Sequence, residues 1–390
     1  MMRNTAVACL SAALCIPAAF AQNAQANANA ATAPVAFVYV SSTPSGKPNV
    51  VNAYTAAANG QLTKVPGSPF QDKVASMVVN GKYLLGASTS GIYVEAFQML
   101  SNGALHFVTW TNVAKHNSSG CAAPGDLILD HSGANLYLEA TIGGLCDNSE
   151  YQSYKLNAQS GVLTFLGSSA SSFLFSTPLT FSSNNRFAYG TQCINYQGNY
   201  LDTFSVLERD KNGFLTLTGI PQPPPTNNGN TFYCAAGTAA DPASHLAVSL
   251  QAIEGGSVPT GLPRIASYTI GSSGALSTPT PFSSMPTTTV GDGFSINLSM
   301  SPSGKLLAAL GDSGLQIFHF NGASKATHYT GLLTTNDIEQ AFWDNANHLY
   351  AISRNTGKLY VFTATSTSVT QAPGSPYTIN APSNIIVQPR

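Results

Sequence analysis

The chain says the same thing several times over. A unit of four short apolar runs recurs with a period of roughly 50 residues, which confines the chain to folds in which one supersecondary unit packs against copies of itself. The turn between the first two runs is the easiest part to align: Val79-Asn80-Gly81-Lys82, Asp130-His131-Ser132-Gly133, Ser182-Ser183-Asn184-Asn185, Asp241-Pro242-Ala243-Ser244, Ser301-Pro302-Ser303-Gly304 and Asp344-Asn345-Ala346-Asn347. Gly and Asn tolerate positive φ and Pro presets φ, so these are tight turns. Each leads into an alternating strand such as Lys82 to Gly86, Asn135 to Glu139 or His348 to Ile352. A third strand then runs to a Gly-x-Leu-Thr/Ser element, at Gly60-Gln61-Leu62-Thr63, Gly161-Val162-Leu163-Thr164, Gly213-Phe214-Leu215-Thr216 and Gly274-Ala275-Leu276-Ser277, which reads as a reverse turn into an outer strand.

Six units are complete, with first strands near residues 75, 125, 178, 236, 296 and 340. The remainder is complementary: residues 36–66 supply the second, third and fourth strands of a unit, and Ser383 to Gln388 supplies a first strand with nothing after it. Joined, they make a seventh unit from both ends of the chain and leave no free sheet edge. The fold class expected is therefore all-β, a seven-bladed β-propeller of four-stranded antiparallel blades spanning residues 35–390 as one domain; a two-domain sandwich is the alternative and leaves the complementary ends unexplained. A doubled phrase, Pro66-Gly67-Ser68-Pro69-Phe70 and Pro373-Gly374-Ser375-Pro376-Tyr377, flanks the seam.

Phe37-Val38-Tyr39-Val40-Ser41-Ser42, the step from Tyr54 to Gly60-Gln61-Leu62, and Pro66 to Phe70 resemble the lactonase-type seven-bladed propellers, which include the YVTN-repeat proteins and the propeller form of 6-phosphogluconolactonase. The resemblance covers nearly the whole chain beyond its first residues and implies a lactone-hydrolysing activity. Enzymes of that family carry a histidine-containing segment before and within an early-blade first strand. Here the chain reads Gly120-Cys121-Ala122-Ala123-Pro124-Gly125-Asp126, so no catalytic residue is carried over.

Only 8% of residues are charged and the formal net charge is -1, without the basic excess of a nucleic-acid or anionic-membrane binder. Arg3, an apolar run from Ala6 to Phe20 and the ending Ala19-Phe20-Ala21 read as a secretory signal (1–21), too short to span a bilayer. A low-complexity leader follows at 22–34, and the expected product is exported, periplasmic or extracellular, and monomeric. Cys9 and Cys15 leave with the signal. The four remaining cysteines fit two disulfides, Cys121–Cys146 within a blade and Cys193–Cys234 between neighbouring blades, and match no zinc-type spacing. No dinucleotide, P-loop, nucleophile-elbow or HExxH motif is present, so neither cofactor nor metal is expected.

In a propeller the loops joining blades, and those joining second to third strands, open on one face. Candidates on that face for lactone hydrolysis, which needs a base for water and a positive group for the oxyanion, are His116, Asp126 and Glu139 as acid/base groups with Arg264 or Arg354 as charge partner. Asp126, Asn297, Gln340 and Asn384 stand four positions before the aligned turns, with Gly237 at the same place, and are expected to form a polar ring in the channel. Such a ring either contacts substrate or hydrogen-bonds neighbouring blades. The leading reading is a lactonase-like propeller acting on or binding a small carbohydrate-derived molecule at the channel mouth. The alternative is a non-catalytic scaffold that binds a protein, peptide or glycan through the same face.

Overall fold

Strand-forming sequences in this chain are of two kinds, and burial explains both. The second strands, such as Ala36–Ser42, Tyr83–Ser88, Leu306–Gly311 and His348–Ser353, are buried at every position. The alternation expected for them is absent because each lies inside a sheet that is itself packed on both faces, so both rows of side chains need apolar partners. Several outer strands are short and open: Leu62–Lys64 buries only its leucine, and Ser324–His328 only Ala326.

The computed structural model describes residues 33–116, 124–142, 148–171, 179–196, 199–218, 232–254, 258–292 and 295–390. Residues 34–390 form one compact unit. Its strands make seven antiparallel sheets, and we number the blades 1 (74–112), 2 (124–171), 3 (180–217), 4 (232–277), 5 (297–328) and 6 (340–378). The closing blade joins Pro382–Pro389 to Ala36–Ser42, Val50–Ala56 and Leu62–Lys64. Phe37 pairs with Gln388 and Val40 with Ile385, so the two ends of the chain share one sheet as the orphan strands require. The protein is a seven-bladed β-propeller.

Among the described residues the apolar core is divided between blades. Seven apolar clusters each bridge one pair of neighbouring blades; Val38, Tyr54 and Ile385 of the closing blade, for example, pack on Tyr350, Leu359 and Val361 of blade 6. The Gly-x-Leu turn serves this contact. Gly213 has φ +100° and Gly274 +85°, and a Cβ on Gly274 would stand 2.7 Å from Phe187 of the preceding blade. Tyrosines of the second strands latch onto these turns: Tyr39, Tyr137 and Tyr189 donate to the carbonyls of Gly103, Gly213 and Gly274 at 3.0, 2.9 and 2.9 Å.

The doubled phrase has one geometry in both copies. Gly67 and Gly374 take φ of +86° and +79°, and the hydroxyl oxygens of Ser68 and Ser375 accept the Ala53 and Val361 N–H groups at 2.9 and 2.8 Å. The serine thus satisfies a backbone donor where the outer strand leaves the sheet. The chain then rejoins the third strand of its blade at Phe70–Gln71 and at Tyr377–Thr378.

Candidate functional site

First strands line the axis and leave two adjoining cavities of about 490 and 300 Å³ that share Asp126, Gln340 and Phe342. The larger is also lined by Thr238, Asn297, Ser299, Glu339 and Arg354. Glu339 immediately precedes the first strand of blade 6 and Arg354 immediately follows its second, which puts both at the loop-bearing mouth.

The polar ring is present, and most of it is spent on joining blades. Asn297 Nδ2 donates to the Glu339 carbonyl (3.3 Å), Gln340 Oε1 accepts the Ile385 N–H (2.9 Å), and Asn384 Oδ1 accepts the Met77 N–H (3.0 Å). Each bond runs from one first strand to the next or to the residue just before it. Ser76 belongs to the series, its hydroxyl oxygen accepting the Leu127 N–H at 3.1 Å. It escaped the sequence reading because the first turn begins at Asn80 rather than Val79: Asn80 Oδ1 caps the N–H groups of Lys82 and Tyr83 as Asp241 Oδ1 caps Ala243 and His245.

At Gly237 the backbone performs the clasp, its N–H donating to the Ile296 carbonyl at 2.9 Å. A Cβ there would meet Asn297 Cα at 2.7 Å and the Ile296 carbonyl and Leu298 nitrogen at 2.8 Å, all main-chain atoms that cannot swing aside. Gly237→Ala is expected to destabilise by about 1–3 kcal/mol in chemical denaturation, as overpacking against fixed backbone does. An unchanged midpoint would show that the two strands separate freely.

Asp126 is the ring member that keeps an ionisable group in the cavity. Burial pushes its carboxyl above the usual aspartate range, against a Ser76 Oγ–H···Oδ1 hydrogen bond (3.4 Å) and the Arg354 guanidinium, which pull it down. Glu339 is also raised, chiefly by burial; its two carboxylate oxygens accept the Arg354 N–H at 3.1 and 2.9 Å. Asp337 is raised by burial and by Asp312, with Arg354 opposing. Arg354 itself donates from Nη2 to the Ser383 carbonyl at 2.6 Å, which ties the mouth to the closing blade. Glu339 and Asp337 lie outside the repeat-aligned positions, which hid them from a reading based on the repeat.

Two candidates from the sequence lie elsewhere. His116, at the end of the short 3-10 turn Ala114–His116, stacks on Phe165 at 3.8 Å between ring centroids and 11° between planes. Phe165 belongs to Leu163–Ser171, the outermost strand of blade 2, so His116 is roughly three strand spacings, about 14 Å, outward from the first strands. Burial there, and Lys115 beside it, hold its imidazole below the ordinary histidine value. Arg264 donates to the Ser283 and Met285 carbonyls at 3.2 and 2.7 Å and lies 5.2 Å from the Phe282 ring, holding an outer loop of blade 4. Glu139 is buried on the second strand of blade 2, where its charge and that of Asp126 reinforce burial in raising the Tyr151 phenol. Cys121, Cys146 and the Cys193 side chain lie outside the described residues, and with them the expected pairings. Among the described residues no cluster of three or more His, Cys, Asp or Glu is placed to hold a metal, and no helix is long and apolar enough to cross a membrane.

A second carboxylate pair was not expected. Glu95, on the third strand of blade 1, is half-buried close to Asp72, whose carboxyl is pushed up to about 6 by burial and then by Glu95. Lys73 pulls Glu95 down against its own burial. An acid raised on folding destabilises in its charged form, so stability falls as pH rises from about 4, the ordinary aspartate value, to about 6. Asp72→Asn is expected to raise stability at pH 7 by about 1 kcal/mol after allowance for solvent screening, with the gain vanishing below pH 4. A gain that persists in acid would assign it to something other than this charge.

No protein-family model matches the chain, and no curated protein matches it by sequence. Solved structures do match. A 6-phosphogluconolactonase candidate from Bacteroides uniformis superimposes with a TM-score of 0.60 at 12% identity, covering 91% of this chain and 100% of its own. The periplasmic gluconolactonase of Pseudomonas aeruginosa gives 0.55 at 13% identity, covering 90% and 99%. A hypothetical selenium-binding protein from Sulfolobus tokodaii gives 0.60 at 8%, covering 91% and 93%. At these identities the likeness is one of fold, and a fold shared by proteins so differently named leaves function to the site.

Proposed function

We propose that the chain is a lactonase-like propeller that hydrolyses a small, carbohydrate-derived cyclic ester at the channel mouth. The observation that carries this reading is the convergence of Asp126, a channel carboxylate of raised pKa, and Arg354 on one cavity of about 490 Å³, a volume suited to a small ligand. Asp126 takes a proton from water as the water oxygen attacks the ester carbonyl carbon, and the Arg354 guanidinium faces the oxyanion that forms. When the tetrahedral intermediate collapses, the ring C–O bond breaks and Asp126 returns the proton to the leaving alkoxide, giving an open-chain hydroxy acid. Two of the three solved structures named above carry lactonase names, which supports the reaction class.

The test is a panel of aldonolactones assayed with purified mature protein. Turnover of at least one, above the spontaneous rate, is expected; no turnover of any sinks the enzymatic reading for this class. The export and disulfides belong to the same proposal. The Cys193–Cys234 pairing is supported by the full burial of Cys234 and its bonded sulfur, and non-reducing peptide mapping that joined Cys146 to Cys193 would refute it.

A further inference from the structure

We infer that the channel mouth selects against anionic ligands, so that the cyclic ester it accepts is uncharged and carries neither a phosphate nor a carboxylate. The inference rests on the lactone reading of the mouth and adds the class of substrate. Among the described residues Arg354 is the one basic side chain lining the two cavities, and it is shared: its charge is felt by Asp126, Asp337 and Glu339, with Asp312 behind Asp337. Its guanidinium already donates to the Ser383 carbonyl and its main-chain N–H to the Glu339 carboxylate. Three carboxylates, two of them lining the larger cavity, thus share one cation.

The sequence between the described stretches adds no positive charge. Segments 117–123, 143–147, 172–178, 197–198, 219–231, 255–257 and 293–294 contain no Lys, Arg or His, and their one charged side chain is Asp147. A phosphate site is ordinarily built from several Arg or Lys side chains or from a helix N-terminus. The helical segments among the described residues are 3-10 turns of three residues, Ala114–His116 and Phe282–Ser284. An entering dianion would meet an excess of like charge at short range. The hydroxyl groups of a neutral polyol would instead find acceptors, because ionised carboxylates only accept hydrogen bonds.

The experiment compares two ligand pairs. Calorimetry measures binding of glucitol against glucitol 6-phosphate, which cannot be hydrolysed, and kinetics compares glucono-δ-lactone with its 6-phosphate. The neutral member of each pair is expected to be favoured about tenfold or more at low salt. The gap should narrow in Asp337→Asn, in Glu339→Gln and as ionic strength rises. Equal or tighter binding of glucitol 6-phosphate, no measurable binding of either polyol, or a gap unchanged in both variants would overturn the inference. Absence of turnover for both lactones while the polyols are still discriminated would remove the hydrolytic reading and leave the charge selection standing.

Discussion

Asp344→Ala is expected to cost about 3–5 kcal/mol of folding stability, because it removes the shared acceptor of a buried hydrogen-bond network and strands two buried side-chain groups at about 1–3 kcal/mol each. Asp344 has no exposed side-chain surface, and four groups depend on it. Oδ1 accepts the N–H groups of Ala346 and His348, both at 2.8 Å, while Oδ2 lies 2.7 Å from His348 Nδ1 and accepts the Tyr350 hydroxyl at 2.8 Å. His348 is 1% exposed and Tyr350 0%, so alanine at 344 leaves an imidazole nitrogen and a phenol without partner or water. The repeat supplies an internal control. Asp241 makes the same pair of backbone bonds and the same contact with His245, but that histidine is 21% exposed and can be rehydrated. Asp241→Ala should therefore cost less. Urea denaturation of the two variants measures both, and equal losses would show that burial of the histidine is not what sets the cost.

This comparison also shows what a repeat makes legible. Once units are aligned, position along a strand and rank within a blade follow, so the closing blade, the Gly-x-Leu turns and the ring of Asp126, Asn297, Gln340 and Asn384 could all be placed from sequence. Radial distance is not encoded in the same way. His116 and Arg264 share the loop-bearing face with Asp126 yet lie outward of the first strands, His116 stacked on an outermost strand and Arg264 on a third strand, because a loop at a given height can fold over the channel or away from it. Glu339 and the Asp72–Glu95 pair were missed for a related reason: their character comes from neighbours in other blades or from segments between blades. Even the ring was legible only in outline. An amide at each ring position is equally suited to a substrate hydroxyl and to the next blade's backbone, and only the hydrogen bonds to Glu339, Ile385 and Met77 decide between them.

Asp126→Asn follows from the same distinction. Asparagine keeps the size and can keep the Ser76 hydrogen bond through its amide oxygen, but it cannot take a proton from water, so kcat should fall about 10²–10⁴-fold. A residue that merely clasped blades would show its loss in stability. Here the sign is opposite. Burial raises the Asp126 carboxyl, so the charged form opposes folding above that raised pKa, and a neutral amide should leave stability at pH 7 unchanged or improved. In the parent, activity should be lost as pH falls through the raised Asp126 pKa, which puts the acid limb of kcat/KM above the usual aspartate range. Kinetics and denaturation on one preparation separate the roles: a variant that retains parental kcat while losing stability would make Asp126 a clasp like its ring neighbours and take the base out of the proposed mechanism.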